Sequence, residues 1–186
     1  MEEITKDLTK KWSINELSKK INKHYRPVHA AVQSLIKKEF LIKNQNRLIE
    51  PKFKDTLLLE LAEKQRLLNH NNKEIKIIKD KLSRMKTVFF SAVLFGSSLN
   101  KKGKDIDILI IIPDSEEISN FQKQVETKLG SFYSKVDLNI ISEESCYEML
   151  NMPNQINIMN EILKNHLNLN GIQSFYNILE RWKNGW

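Results

Sequence analysis

The segment Asp105-Ile106-Asp107-Ile108-Leu109-Ile110-Ile111-Ile112 constrains this chain more than any other. A run of branched aliphatic residues stopped by Pro113 reads as a strand buried on both faces, and it is far too short to cross a bilayer. Yet it begins with two carboxylates. Alternate residues of a strand share a face, so Asp105 and Asp107 project together while Ile106, Ile108 and Ile110 pack behind them. Neighbouring carboxylates repel and are costly to desolvate, and a hard divalent cation removes both difficulties. Standing alone, an Asp-x-Asp pair reads as readily as a solvated strand end.

It does not stand alone. Residues 88–95 form a continuous apolar, aromatic and β-branched run, the pattern of a buried strand, and lead into Gly96-Ser97-Ser98-Leu99-Asn100. A basic loop, Lys101-Lys102-Gly103-Lys104, then reaches Asp105. Its lysines suit phosphate neutralisation or plain solubility equally. Residues 134–141 predict a third strand, in which Asp137 is out of phase with Val136, Leu138 and Ile140. Between these strands, Asp114-Ser115-Glu116-Glu117 has the form of a capping box. Ile118, Phe121, Val125 and Leu129 mark one face of the helix it opens, and Gly130 stops it.

Strand, Gly-Ser turn, strand with Asp-x-Asp, helix, strand with Asp: in this order residues 88–141 resemble the core of the DNA polymerase beta nucleotidyltransferase superfamily in its minimal prokaryotic form. The resemblance implies that Gly96, Ser97 and Ser98 hold the phosphates of a nucleoside triphosphate, ATP being expected. It implies that Asp105, Asp107 and Asp137 are the catalytic residues and bind Mg2+, two ions being expected, with Asp137 helping to activate an acceptor hydroxyl. The chemistry agrees: glycine lets backbone approach a phosphate, and paired metals activate an attacking oxygen and stabilise a pyrophosphate leaving group. One departure is the spacing. Only seven residues separate Ser97 from Asp105, and the family's Arg-Gly pair is replaced by Asn100-Lys101-Lys102-Gly103, so the helix after the turn is expected to be very short.

Net charge is +7, and all of the excess lies in residues 1–54, which carry 13 Lys and Arg against 6 Asp and Glu. That asymmetry points to a separate basic module facing a polyanion. Ser13 and Glu16 form a capping box for a helix carrying Ile14, Leu17 and Ile21. After a polar break, Pro27 opens a second helix through Val28, Val32, Leu35 and Ile36. Residues 40–42 and 47–49 then flank an Asn-rich turn, a hairpin closed by Pro51. Residues 12–51 in this order resemble a winged helix-turn-helix, which implies binding to double-stranded DNA. By that resemblance Tyr25, Arg26, His29 and Gln33 lie on the outer side of the recognition helix. Asn44, Gln45 and Arg47 lie in the wing. The alternative is a small helical domain that binds protein or dimerises.

The expected fold is therefore α+β: a winged helix-turn-helix over residues 1–54, a helical connector over 55–86, and a nucleotidyltransferase α/β core with mixed sheet and C-terminal helices over 87–186. The connector is expected to break near residues 69–72, and its leucine stripe reads as core or as a homodimer seam. Residues 156–186 read as two helices separated by Gly171, with His166 as a hydrogen-bonded packing histidine rather than one that approaches the nucleotide, and Trp182 and Trp186 in docking or at an interface. His70, in the polar break, reads as exposed and inert. A lone Cys146 excludes an internal disulfide and a multi-cysteine zinc site. An acidic, polar N-terminus and the absence of a long apolar run predict a cytoplasmic protein without a membrane partner.

Function follows from resemblance: transfer of a nucleoside monophosphate, AMP being expected, from a triphosphate to an acceptor hydroxyl. Small relatives of this kind act as antitoxins that adenylylate a partner toxin, which makes a protein such as a toxin an expected acceptor. The alternative is a DNA-binding regulator whose nucleotidyltransferase-like domain senses a nucleotide without reacting.

Overall fold

The computed structural model describes residues 1–54, 56–86, 89–100 and 105–185, with the side chain of Asn100 left out. In chain order it contains α1 (Glu2–Lys6), α2 (Ile14–Lys20), α3 (Tyr25–Lys37), β1 (Leu41–Lys43), β2 (Ile49–Pro51), α4 (Leu57–Asn69), α5 (Lys73–Ser83) and β3 (Ser91–Leu94). A 3-10 turn, Gly96–Asn100, precedes β4 (Ile106–Ile112), α6 (Ile118–Leu129), a second 3-10 turn (Gly130–Lys135), β5 (Val136–Ser142), α7 (Glu143–Leu150), α8 (Ile158–Lys164), β6 (Leu167–Asn170) and α9 (Ile172–Asn184). The fold is α+β.

Four strands form a mixed sheet in the order β5-β4-β3-β6. The β3–β4 and β3–β6 pairs are antiparallel, and β4–β5 is parallel with α6 as its crossover. Burial follows the period-2 pattern. Val93, Phe95, Leu109 and Ile111 face a core completed by α7, α8 and α9, including Cys146, Ile162, Phe175 and Tyr176. Ala92, Leu94, Ile106, Ile108 and Ile110 face the other core, with Ile75, Ile78 and Leu82 of α5 and Phe121, Val125 and Leu129 of α6. The strand β4 is thus buried on both faces because helices cover both.

A third core gathers Ile4, Trp12, Ile14, Leu17, Val28, Val32, Leu41 and Ile49. The capping box forms as the sequence predicts, with Ser13 accepting from the Glu16 N–H and Glu16 Oε2 accepting from the Ser13 N–H at 3.0 Å. Both helices end in the same cap. Asn22 (φ 51°) and Glu39 (φ 61°) adopt left-handed backbone, and the following N–H groups of Lys23 and Phe40 reach back to the Ser18 and Leu35 carbonyls. Trp12 adds a single antiparallel bridge beside the β1–β2 hairpin by exchanging backbone bonds with Ile49. Leu8 and Phe53 belong to the large core beside α4, α8 and α9.

Several expectations are corrected. Residues 156–186 hold the two expected helices, α8 and α9, but the first ends at Lys164 and an unexpected strand, β6, lies between them and pairs with β3. Ile156, expected on an apolar face, is 98 % exposed. Asp114 does not cap α6, whose N-cap is Glu117 without a side-chain bond. Its Oδ1 instead accepts from the Glu144 N–H at 2.8 Å, at the start of α7, a helix without an expectation from sequence. His70 is half-buried, and its Nδ1 accepts from the Asn72 N–H. Among the described residues, no helix is long and apolar enough to cross a membrane.

Candidate functional site

Parallel register places Asp107 directly opposite Asp137, with Ile108 opposite Leu138 and Ile106 opposite Val136. Both carboxylates lie on the face shared by Leu109 and Ile141, one turn of the pleat above the core. Asp105, just before β4, is exposed and shares their phase. Asp105, Asp107 and Asp137 thus share one face at one end of the sheet, without being drawn together into a cluster.

The Gly-Ser turn closes over the same end. The Phe95 N–H donates to the Asp107 carbonyl at 3.1 Å, extending the β3–β4 ladder by one rung. The chain then turns at Gly96, whose φ of 70° favours glycine. A Cβ built on Gly96 would lie 2.3 Å from Asp107 Oδ2. Glycine is required here by the carboxylate itself, in addition to any approach by a phosphate. The Ser97 N–H donates to Asp107, and the Ser98 side chain is buried with its hydroxyl donating to the Phe95 carbonyl at 3.2 Å. Ser98 thus offers its backbone rather than its hydroxyl.

Burial pushes the Asp107 carboxyl above its ordinary pKa, and the charge of Asp137 pushes it further. The Ser97 N–H pulls it partly back, and Asp105 adds to the rise. Like charges crowded at a partly buried position disfavour ionisation, a conflict that a bound cation would relieve. Among the described residues no group of three or more His, Cys, Asp or Glu side chains is already gathered as a metal cluster. The donor set is nonetheless all carboxylate oxygen. That suits Mg2+, which takes one or two carboxylates and completes its shell with phosphate oxygens and water.

The lysines at 101, 102 and 104 lie outside the described residues, as does Trp186. His166 is fully buried away from solvent, with Nδ1 2.9 Å from the Ile162 carbonyl oxygen, as a packing histidine. Trp182 bonds through Nε1 to Asn151 Oδ1 at 3.1 Å.

The basic N-terminal third presents a second surface. On α3, Val28 and Val32 face inward, while Tyr25, Arg26 and Gln33 are exposed and His29 is half-buried with its ring 5.6 Å from that of Tyr25. Arg47 is exposed at the hairpin tip with φ 61°. Asn44 is engaged within the hairpin, its Oδ1 accepting from the Leu48 N–H at 3.0 Å.

Sequence reading missed one polar centre. Glu63 of α4 is fully buried and accepts from Arg66 at 2.5 Å, from the Tyr176 hydroxyl at 3.2 Å and from the Asn168 N–H at 3.1 Å. Arg66 also donates to the carbonyls of Thr5 and His166. A Glu and an Arg three residues apart on a helix look like a surface pair; β6, unseen in the sequence, together with α1 and α9 buries them. No protein-family model, curated protein or solved structure matches the chain.

Proposed function

We propose that this protein is a Mg2+-dependent nucleotidyltransferase that moves a nucleoside monophosphate, AMP being the expected one, from a triphosphate to an acceptor hydroxyl. The observation that carries the reading is the register pairing of Asp107 with Asp137 beneath a glycine turn pressed onto Asp107. Asp105, Asp107 and Asp137 would hold Mg2+, which when bound neutralises charge on the triphosphate and on the departing pyrophosphate. With the Ser97 N–H held by Asp107, phosphate oxygens would be received at the mouth of the turn by the exposed Gly96 and the exposed Ser97 hydroxyl. Asp137, exposed on the outer strand, accepts the proton of the incoming hydroxyl. A new bond joins acceptor oxygen to the α-phosphorus, the α–β anhydride breaks, and pyrophosphate leaves.

In the same reading residues 12–51 act as a winged helix-turn-helix that brings the enzyme to double-stranded DNA. Support comes from α3, which presents Tyr25, Arg26 and Gln33 outward in the basic third of the chain. A protein acceptor, an intracellular setting and a homodimer complete the proposal.

A second reading, a nucleotide-sensing DNA-binding regulator, has one observation in its favour. The turn after Ser97 is a 3-10 segment of only five residues, and its Ser98 hydroxyl and Ser97 N–H are engaged within the protein. Labelled ATP with Mg2+ decides between them. Transfer to an acceptor that disappears in Asp105→Ala and Asp107→Ala supports the enzyme. Nucleotide binding without pyrophosphate release across candidate acceptors removes it.

A further inference from the structure

The two edges of the four-stranded sheet are treated differently. At the β6 edge, α4 lies alongside, and the Asn168 N–H is bonded by the buried carboxylate of Glu63. That edge is closed. At the β5 edge, the main chain bonds to no strand other than β4 among the described residues. Every residue of β5 is at least partly exposed, whereas β4 is buried along nearly its whole length.

Exposed edges are ordinarily protected by short length, proline, lysine or a bulge. The strand β5 has neither proline nor bulge, and the charges within and just before it, Asp137 as its second residue and Lys135, lie at one end only. It runs seven residues, Val-Asp-Leu-Asn-Ile-Ile-Ser, in unbroken register with β4. The outward N–H and C=O groups of β5 are open to water, and their spacing matches that of an extended polypeptide that could replace the water as a further strand. Asp137 is the second residue of this strand, so the open edge and the carboxylate site are continuous. Lys135, just before the strand, is paired with Glu74, and Arg181 lies 3.9 Å from Glu143, so Asp137 at one end and Glu144 at the other leave each end a net negative charge, which favours a segment flanked by basic residues.

We infer that the β5 edge docks an extended, basic-flanked segment of a protein substrate as a fifth strand, and that a Ser, Thr or Tyr of that segment is the acceptor hydroxyl. The inference rests on the nucleotidyltransfer reading above. A strand paired to β5 lies about 4.8 Å away, so its side chain opposite Asp137 rises on the same face as Asp107 and Asp137. The hydroxyl proton passes to Asp137, its oxygen bonds to the α-phosphorus, and pyrophosphate departs.

The test uses the full chain and a fluorescent synthetic peptide, lysine at each end, alternating valine and threonine around a central tyrosine. A second peptide of identical sequence carries N-methyl groups at every valine and threonine. The expected result is saturable binding by anisotropy, weakened at least about tenfold by N-methylation, with alternate β5 amides gaining protection from hydrogen exchange. Equal binding of both peptides, or binding of neither, overturns the docking edge. A chain that sediments as a dimer with its β5 amides already protected also overturns it, because a second copy then fills the edge. With Mg2+ and labelled ATP, label on the unmethylated peptide supports the acceptor assignment. Strand-dependent binding with no label on the peptide, while label reaches some other acceptor, overturns that assignment but not the enzyme. Strand-dependent binding with no pyrophosphate release from any acceptor overturns both.

Discussion

Gly96 has no room for a side chain because the Asp107 carboxylate occupies the place: a Cβ there would meet Oδ2 at 2.3 Å. The turn and the acidic strand are therefore one unit, and a change in either displaces the other. Gly96→Ala combines this clash with strain at φ 70°. The expected outcome is a loss of Mg2+-dependent ATP binding of at least about tenfold by calorimetry. Gly130→Ala is the control. Nothing lies within 4 Å of the added Cβ, but φ 58° with ψ −127° is backbone that non-glycine residues rarely adopt, so it costs about 1–3 kcal/mol of stability and leaves binding unchanged.

The carboxylates should show opposite effects on stability and binding. Asp107 and Asp137 face one another across β4 and β5, and burial and mutual repulsion disfavour the charge on Asp107. Replacing Asp137 by Asn removes one charge without changing shape. Melting without metal should rise by about 2 °C, while the further rise that Mg2+ and ATP give the parent chain should be lost. A fall in melting temperature without metal would show that Asp137 stabilises the fold rather than the ligand.

The acidic site was legible from sequence because its signal is local. Asp105, Asp107 and Asp137 each interrupt an apolar run with a phase that period-2 alternation fixes, and the register pairs two of them as that phase requires. The strand β6 was not legible, since Leu167-Asn168-Leu169-Asn170 follows helical residues directly and continues their apolar spacing. Its strand character comes from pairing with β3, a contact some 75 residues away. The Asp114 cap failed for a related reason. Its carboxylate is drawn to the start of α7, which the parallel β4–β5 pair brings alongside. Long-range pairing overrides local preference in both cases.

Glu63 should be the most sensitive position outside the carboxylate site. It is a fully buried charge that accepts from Arg66, Tyr176 and Asn168, joining α4 to β6 and α9. Glu63→Ala leaves Arg66 without its carboxylate and is expected to cost about 3–5 kcal/mol in urea unfolding. Tyr176→Phe removes a single donor and should cost about 1 kcal/mol. A loss under 1 kcal/mol in Glu63→Ala would mean that the network does not hold the helices together.

His166 makes folding pH-dependent. Burial holds its imidazole down to about 4 from the usual 6.5, with the charge of Glu63 pulling the other way and that of Arg66 reinforcing the shift. Below 6.5 the unfolded chain takes up a proton that the folded chain refuses. Stability is then lost as pH falls from about 6.5 toward 4, by at most about 3 kcal/mol. The difference in urea stability between pH 7.5 and 5 should shrink in His166→Gln, even where that variant is less stable overall. An unchanged difference would place the titrating group elsewhere.

The N-terminal surface makes its own prediction. Arg26 is exposed in the first turn of α3, the turn spanned by the Tyr25–His29 ring pair. Val28 and Val32 fix the opposite side of that helix in the core, so Arg26 can be changed without disturbing packing. If α3 enters the major groove, Arg26→Ala weakens binding to a specific duplex by about 1–3 kcal/mol and relaxes preference at one base pair. If Arg26 instead meets a phosphate, affinity falls alike for all sequences and the slope of log affinity against log salt drops by about one. Fluorescence anisotropy at several salt concentrations separates the two. Binding that is unchanged in both level and slope would remove α3 from the interface.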